Sequence, residues 1–231
     1  MKLPPCIILC GGIGSRLQKI SHRIPKCLVQ INKKPFLYYQ LKFLESSGLK
    51  KVVLSSGHLG FMINDFLKKF DTTLEIILID DGKELLGTGG AVKKAFSYID
   101  EPAFVTYGDT YLDISYKDMY KYFLKNNKPV MSIYKNNSKY DLSNVYKDEE
   151  KISYNKKNPN PNSQYIEYGL SIFYEENFKS YGAIFDLSDL QESLSKSHQL
   201  CYFEALNRFY EIGTPNSLKE TINYFSNVKK I

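Results

Sequence analysis

Gly11-Gly12-Ile13-Gly14-Ser15-Arg16-Leu17 follows directly on the apolar run Cys6–Cys10. Glycines after a buried strand let backbone N–H groups approach an anion, and the start of the next helix adds a partial positive charge. Downstream, Pro25 fixes the backbone just before Lys26, whose ammonium can then be held at a leaving group. Residues 1–44 carry Lys2, Arg16, Lys19, Arg23, Lys26, Lys33, Lys34 and Lys42, and the first carboxylate is Glu45. A glycine loop with charge of one sign around it suits a triphosphate. Leu86-Gly87-Thr88-Gly89-Gly90-Ala91 is a second glycine-rich turn. It reads either as a tight strand–helix connection or as a flat peptide surface for a nucleobase. Asp109, in Tyr107-Gly108-Asp109, stands at the carboxyl end of a strand, where open α/β sheets place their ligands. A carboxylate there suits a Mg²⁺ that bridges phosphates and keeps several waters. Asp113 is either an outer partner of that carboxylate or a surface residue.

Two familiar nucleotide loops fail on these residues. A dinucleotide fingerprint needs a third glycine and a ribose-binding acid about 20 positions on, but position 17 is Leu and no acid precedes Glu45. A Walker A loop needs Gly-Lys-Ser/Thr at its end, and none is present. The three histidines, His22, His58 and His198, form no nucleophilic constellation with Ser, Cys or Asp, and only His22 is placed to reach a phosphate.

These groups need a scaffold, and the alternation of short apolar runs with amphipathic stretches predicts a mostly parallel sheet wrapped by helices. Strands are expected at Cys6–Cys10, Lys51–Ser56, Leu74–Ile79, Ala103–Tyr107, Val130–Tyr134 and Ile166–Tyr174, with a hairpin from Asn144–Tyr146 and Lys151–Tyr154. Helices are expected at Phe36–Ser47, Phe61–Phe70, Gly90–Tyr98, Ser115 to about Lys125, Leu187–Ser195 and Ser217–Phe225. No internal repeat or biased linker divides the chain, so residues 1–231 read as one domain. Its 1–135 half is Rossmann-like, and the 136–231 half is a mixed insertion continuous with it that ends in a closing helix.

The 231 residues suffice for a full-sized core, and 43% apolar with 24% charged residues excludes a disordered or fibrous chain. No apolar run is long enough to span a membrane. The net charge of +6 rests on 31 basic residues, but only Arg16, Arg23 and Arg208 are arginines. Base and phosphate readers lean on the Arg fork, so nucleic acid is not an expected partner. Cys6, Cys10, Cys27 and Cys201 show no CxxC spacing, which points to reduced thiols and a cytoplasmic protein.

Taken in order, Gly11-Gly12-x-Gly14-Ser15-Arg16-Leu17, Pro25-Lys26, the 86–91 turn, Gly108-Asp109 and Ile212-Gly213-Thr214-Pro215 resemble the sugar-1-phosphate nucleotidyltransferases. The likeness covers nearly the whole chain. Leu9-Cys10-Gly11-Gly12 and the short length resemble most the mannose-1-phosphate and D-glycero-D-manno-heptose-1-phosphate guanylyltransferase branch. The resemblance implies a Rossmann-like three-layer α/β/α fold with a mostly parallel central mixed sheet. It also implies Gly11, Gly12, Gly14 and Ser15 around the phosphates, with Arg16 and Lys26 on the triphosphate and transition state. Leu9, Gly57, Gly87 and Thr88 would contact the nucleoside. Asp109 would hold Mg²⁺, joined by Glu211 where many members have Asp. Lys156, or Lys157 if the register slips by one, would grip the sugar phosphate, and Glu167 and Gly169 the sugar hydroxyls. With the chain ending at Ile231, the β-helix and acyltransferase domains of longer relatives are not expected.

The implied reaction joins an NTP, best GTP, to a heptose or mannose 1-phosphate for cell-surface polysaccharide precursors, releasing pyrophosphate. A homodimer is compatible with it. The alternatives are a cytidylyltransferase acting on a non-sugar phosphate such as phosphocholine, and a catalytically silent nucleotide-binding relative, which the change to Glu211 keeps open. Fold alone does not separate them.

Overall fold

Apolar runs closed by glycine or a polar pair become interior strands of one large sheet. The computed structural model describes residues 1–11, 24–57, 59–82, 84–148 and 151–227. In chain order the strands are β1 (Cys6–Leu9), β2 (Gln30–Ile31), β3 (Lys34–Pro35), β4 (Lys51–Ser56), β5 (Glu75–Asp80), β6 (Ala103–Tyr107) and β7 (Thr110–Leu112). They continue with β8 (Val130–Lys135), β9 (Val145–Asp148), β10 (Lys151–Tyr154), β11 (Tyr165–Phe173), β12 (Cys201–Ala205) and β13 (Phe209–Glu211). The α-helices are α1 (Phe36–Ser46), α2 (Gly60–Leu67), α3 (Gly87–Phe96), α4 (Tyr116–Asn126), α5 (Leu187–Lys196) and α6 (Pro215–Asn227).

Strands β5, β4, β1 and β6 lie side by side and parallel. Each of the four carboxyl ends leads within two residues into a glycine: Gly11, Gly57, Gly82 and Gly108. Strand β11 then runs antiparallel to β6, β8 antiparallel to β11, and β12 parallel to β8. The hairpin β9–β10 joins the far side of β11. A separate pair, β7 with β13, brings residues 110–112 beside residues 209–211.

The pleat of β1 shows how the layers form. Cys6 and Ile8 face a core built with Leu37 and Leu41 of α1, Ile63 of α2 and Met119 and Phe123 of α4. Ile7 points the other way, toward Val92, Ala95 and Phe96 of α3 and Leu187 and Leu190 of α5. A strand buried on both faces reads as a continuous apolar run, as Cys6–Leu9 does. A third cluster, including Tyr39, Tyr111, Ile212 and Phe225, fastens α6 over β7 and β13. The result is the expected α/β/α arrangement. Among the described residues no helix is long and apolar enough to cross a membrane. All four cysteines are free; Cys6, Cys10 and Cys27 are buried and Cys201 is partly exposed.

Several boundaries differ from the sequence expectation by one to three residues, and the start of α3 shows why. Helix α3 begins at Gly87, not Gly90, so the glycine-rich turn is already helical. Glycine is a poor helix former, and its presence here has a packing cause. The segment carrying Ala183 and Phe185 crosses the first turn of α3. A Cβ on Gly87 would lie 2.5 Å from the Phe185 carbonyl oxygen, and one on Gly90 would lie 2.1 Å from that of Ala183. The N–H groups of Gly89 and Gly90 donate to the Phe185 oxygen at 2.9 and 3.2 Å, which satisfies two otherwise orphaned helix donors.

Candidate functional site

The site is assembled at the carboxyl edge of β1, β4, β5 and β6 and completed by the β7–β13 pair. Lys26 opens a short 3-10 turn, Lys26–Leu28, with Pro25 ahead of it at φ −55°. The next residue, Cys27, anchors that turn to the end of β1 through a hydrogen bond with Cys10. That bond and burial hold the Cys10 thiol well above its ordinary pKa, so it is an inert packing group. From this turn the Lys26 ammonium reaches Asp109, with Nζ 2.5 Å from Oδ2.

Asp109 sits between β6 and β7, on a loop that Gln40 of α1 clamps by donating to the carbonyls of Tyr107 (2.9 Å) and Thr110 (2.7 Å). Gly108 permits the tight turn, since a Cβ there would lie 2.8 Å from Cys10 Sγ. Glu211 lies opposite Thr110 in the β7–β13 pair, and the N–H of Ile212 donates to the Asp109 carbonyl at 3.0 Å. Helix α6 holds this strand: Thr221 donates to the Glu211 carbonyl at 2.7 Å, and Tyr224 stacks on Tyr210 with centroids 3.9 Å apart. Burial and then the charge of Asp109 push the Glu211 carboxyl above its usual pKa, against Lys26 and a hydrogen bond with Ser217.

Two mutually repelling carboxylates facing one ammonium make a place for an added cation. Mg²⁺ takes one or two carboxylates and completes its shell with phosphate and water oxygens, so Asp109 and Glu211 fit it. No group of three His, Cys, Asp or Glu suited to a metal exists among the described residues.

The other half of the site comes from β11. Its pairing with β8 shifts register between Glu167 and Ser171, and Gly169 within that bulge has φ +100°. A bulge of this kind re-aims side chains. Here the Gly169 N–H donates to Glu167 Oε1 at 2.8 Å, and Thr106 of β6 donates to the Gly169 carbonyl at 2.8 Å. Thr110, Leu112 and Tyr107 surround the space where a Gly169 side chain would be, so the bulge lies beside the Asp109 loop. Burial raises the Glu167 carboxyl to about 7, opposed by the Gly169 N–H and by the charge of Lys156. The two lysines of the 155–158 turn therefore part company. Lys156 acts on Glu167, while Lys157 pairs with Asp189 of α5 at 3.1 Å.

Gly11 and Gly57 meet at the ends of β1 and β4, the Gly57 N lying 3.2 Å from where a Gly11 Cβ would be. Leu9 closes β1 beside them. Thr88 accepts a hydrogen bond from the N–H of Leu187 at 2.8 Å, so its hydroxyl caps α5 in this structure. Asp113 is exposed and accepts from Asn207 at 2.9 Å, which makes it a surface partner. Gly12, Gly14, Ser15, Arg16, His22 and His58 lie outside the described residues.

Sequence reasoning passed over Ser55 and Asp81. Ser55 Oγ donates to Asp81 Oδ1 at 2.5 Å, and Asp81 Oδ2 stands 2.9 Å from the Cβ position of Gly11. The available signal was a pair of buried serines ending the apolar strand Lys51–Ser56.

Known proteins match the chain along nearly its whole length. The nucleotidyl transferase family pattern matches residues 6–224. The chain is 32% identical over 217 residues to the D-glycero-alpha-D-manno-heptose 1-phosphate guanylyltransferase of Campylobacter jejuni, covering 90% of this chain and 94% of that protein. It is 31% identical over 125 residues to the mannose-1-phosphate guanyltransferase of Yarrowia lipolytica, covering 52% of this chain and 34% of that protein. The crystal structure of HddC from Yersinia pseudotuberculosis complexed with GMP-PN superposes with a TM-score of 0.77 at 25% identity, covering 96% of this chain and all of that one. With the family pattern spanning both the Lys26–Asp109 edge and the Glu211 strand, the chain belongs to the nucleotidyl transferase family.

Proposed function

We propose that this protein transfers a nucleotidyl group from GTP to a heptose or mannose 1-phosphate, giving a GDP-sugar and pyrophosphate for cell-surface polysaccharide precursors in the cytoplasm. The observation that carries the reading is the grouping of Lys26, Asp109 and Glu211 at the sheet edge, with the Gly169 bulge of β11 beside the Asp109 loop and Lys156 acting on Glu167 of that bulge. The full-length guanylyltransferase relative supports the choice of GTP and heptose phosphate.

In this reading an oxygen of the sugar phosphate attacks the α-phosphorus in line. One P–O bond forms as the α–β bridging bond breaks, and pyrophosphate departs. Such chemistry needs positioning and charge neutralisation more than acid–base groups. Lys26 and Arg16 neutralise charge that grows toward the leaving pyrophosphate. Gly11, Gly12, Gly14 and Ser15 offer backbone donors to the phosphates, and Leu9, Gly57, Gly87 and Thr88 border the nucleoside. Lys156 holds the sugar phosphate, while Glu167 and Gly169 meet the sugar hydroxyls. Asp109 and Glu211 would hold Mg²⁺, which when bound supplies charge neutralisation across the phosphates.

The test is pyrophosphate release with each of GTP, CTP, UTP, dTTP and ATP against a panel of sugar 1-phosphates and phosphocholine. The reading expects GTP with a manno-configured sugar 1-phosphate to lead. Preference for phosphocholine and CTP would replace it.

A further inference from the structure

Gln40 is the one amide among the buried residues of α1, beside Phe36, Leu37, Tyr39, Leu41 and Leu44. It is 5% exposed, and a buried amide is costly unless its donors and its acceptor are met. Both donors go to one turn. Nε2 donates to the Tyr107 carbonyl at 2.9 Å and to the Thr110 carbonyl at 2.7 Å, so the amide spans Gly108-Asp109. Thr110 passes the constraint on, because its hydroxyl donates to Asp109 Oδ1 at 3.1 Å. The backbone of the turn is tied as well: the Gly108 N–H donates to the Leu9 carbonyl at 2.9 Å, and the Asp109 carbonyl accepts from Ile212 at 3.0 Å. Those bonds fix where the turn lies. The Gln40 pair closes it across its two sides and so fixes the direction of the Asp109 carboxylate.

Because both partners are carbonyl oxygens, the amide nitrogen must face the turn and Oε1 must face away from it. Among the described residues nothing donates to that buried oxygen. Beside the same side chain lies a cavity of about 10 Å³, whose lining includes Gln40, Ile8, Phe43, Thr106, Thr110 and Tyr111. A cavity of roughly this size holds one water when polar groups line it, and here Gln40, Thr106 and Thr110 do.

We propose that Gln40 is the positioning residue for Asp109: its nitrogen locks the 107–110 turn, one buried water on its Oε1 locks the amide, and the carboxylate is thereby set for Mg²⁺ before the ion arrives. This inference rests on the nucleotidyl-transfer reading above for the choice of ion, and its first readout is metal binding rather than turnover. Without the clamp the turn populates arrangements in which the carboxylate is turned from the site. A cation binds the competent fraction alone, so its apparent affinity falls by that fraction and saturating metal restores the rest. The loss of two hydrogen bonds is enough to cut the fraction about tenfold.

The experiment titrates Mn²⁺ into the whole protein, Gln40→Met and Gln40→Glu, with free Mn²⁺ read by electron paramagnetic resonance. Gln40→Met keeps the length of the side chain and removes both donors and the acceptor. Gln40→Glu keeps the shape and sets an oxygen against the two carbonyls. Both variants should bind Mn²⁺ about tenfold more weakly, and the Mg²⁺ concentration for half-maximal turnover should rise by the same factor. Turnover at saturating Mg²⁺ and the sugar-phosphate KM should stay within about twofold, since metal repopulates the competent turn. A merely structural glutamine would lower the melting temperature of both variants and leave the Mn²⁺ constant where it was; that result overturns the proposal, as does a wild type that binds no Mn²⁺. A crystal structure of the wild type should show a water within about 3 Å of Oε1. A dry cavity, or Nε2 turned from either carbonyl, overturns the clamp even if neither variant folds. Mn²⁺ binding that depends on Gln40 in a protein without nucleotidyl transfer fails the proposed function alone. An active transferase whose Mn²⁺ binding ignores both substitutions fails this inference alone.

Discussion

Replacing Lys26 by alanine removes an ammonium that pairs with Asp109 and whose charge also acts on Glu211. The Lys26 and Asp109 side chains are 19% and 30% exposed and their atoms are 2.5 Å apart, so the pair is partly desolvated. Hydrogen bonds to charged groups of this kind contribute about 2 kcal/mol. For a chain of this size that lowers the melting temperature by about 4–8 °C. The loss leaves Asp109 and Glu211 uncompensated, because Lys26 is the cation that opposes their repulsion at Glu211. Added Mg²⁺ should therefore raise the melting temperature of Lys26→Ala by more than it raises that of the wild type. Turnover should fall about 10²–10³-fold, the usual cost of removing one preorganised charge from a transition state. Sugar-phosphate KM should change little. Thermal melting with and without Mg²⁺, beside steady-state kinetics, measures all three effects. Unchanged turnover together with an unchanged melting temperature would refute the reasoning.

Asp109→Asn should abolish activity at any Mg²⁺ level, whereas Glu211→Gln should be partly rescued by high Mg²⁺ or by Mn²⁺; rescue of Asp109→Asn by metal would reverse the assigned ranks. Lys156→Ala should raise the sugar-phosphate KM about tenfold or more with NTP affinity unmoved, consistent with one lost charged contact. Lys157→Ala should leave both alone, because its ammonium is already paired with Asp189. Gly90→Ala should destabilise the fold by about 1–3 kcal/mol, since its methyl has no room against the Ala183 carbonyl; an unchanged denaturation midpoint would contradict this. The folded protein keeps a proton on Glu167 up to about pH 7, while the unfolded chain releases it near the ordinary value of 4.5. Stability from this group is therefore full below 4.5 and is lost as pH rises toward 7. Melting temperatures at pH 5 and pH 8 should differ less in Glu167→Gln than in the wild type.

The parts of the fold legible in the sequence are those where one local signal decides. Lys51–Ser56 and Ala103–Tyr107 are apolar on both faces and bounded by polar or glycine turns, and both strands form over those residues. Pro35 and Gly48, the latter at φ +91°, bracket α1, and Ser115 caps α4 by accepting from the N–H of Asp118. Elements that depend on distant partners were hidden. Strand β12 has no alternating pattern in Cys201–Ala205 and exists because it pairs with β8. The β2–β3 hairpin turns through Asn32 and Lys33, both at positive φ, without the glycine that would announce it. Helix α3 starts at Gly87 because the Phe185 carbonyl, nearly a hundred residues away, supplies its cap.

The candidate site divides along the same line. Asp109 and Lys26 could be named from a glycine turn and a proline, and they make one ion pair. Lys156 and Lys157 could not be told apart until α5 supplied Asp189 to one of them. The serines ending β4 gave no hint of a partner, because Ser55 and Asp81 meet only through the β4–β5 register.

The central claim is that the edge carrying Lys26, Asp109 and Glu211 moves a nucleotidyl group onto a sugar phosphate. Incubating the protein with GTP labelled at the α-phosphorus, a manno-heptose 1-phosphate and Mg²⁺ tests it most directly. The account predicts label in GDP-sugar, one for one with pyrophosphate, and none without the sugar phosphate. Label recovered only as GTP, GDP or GMP, with no sugar nucleotide, would contradict it.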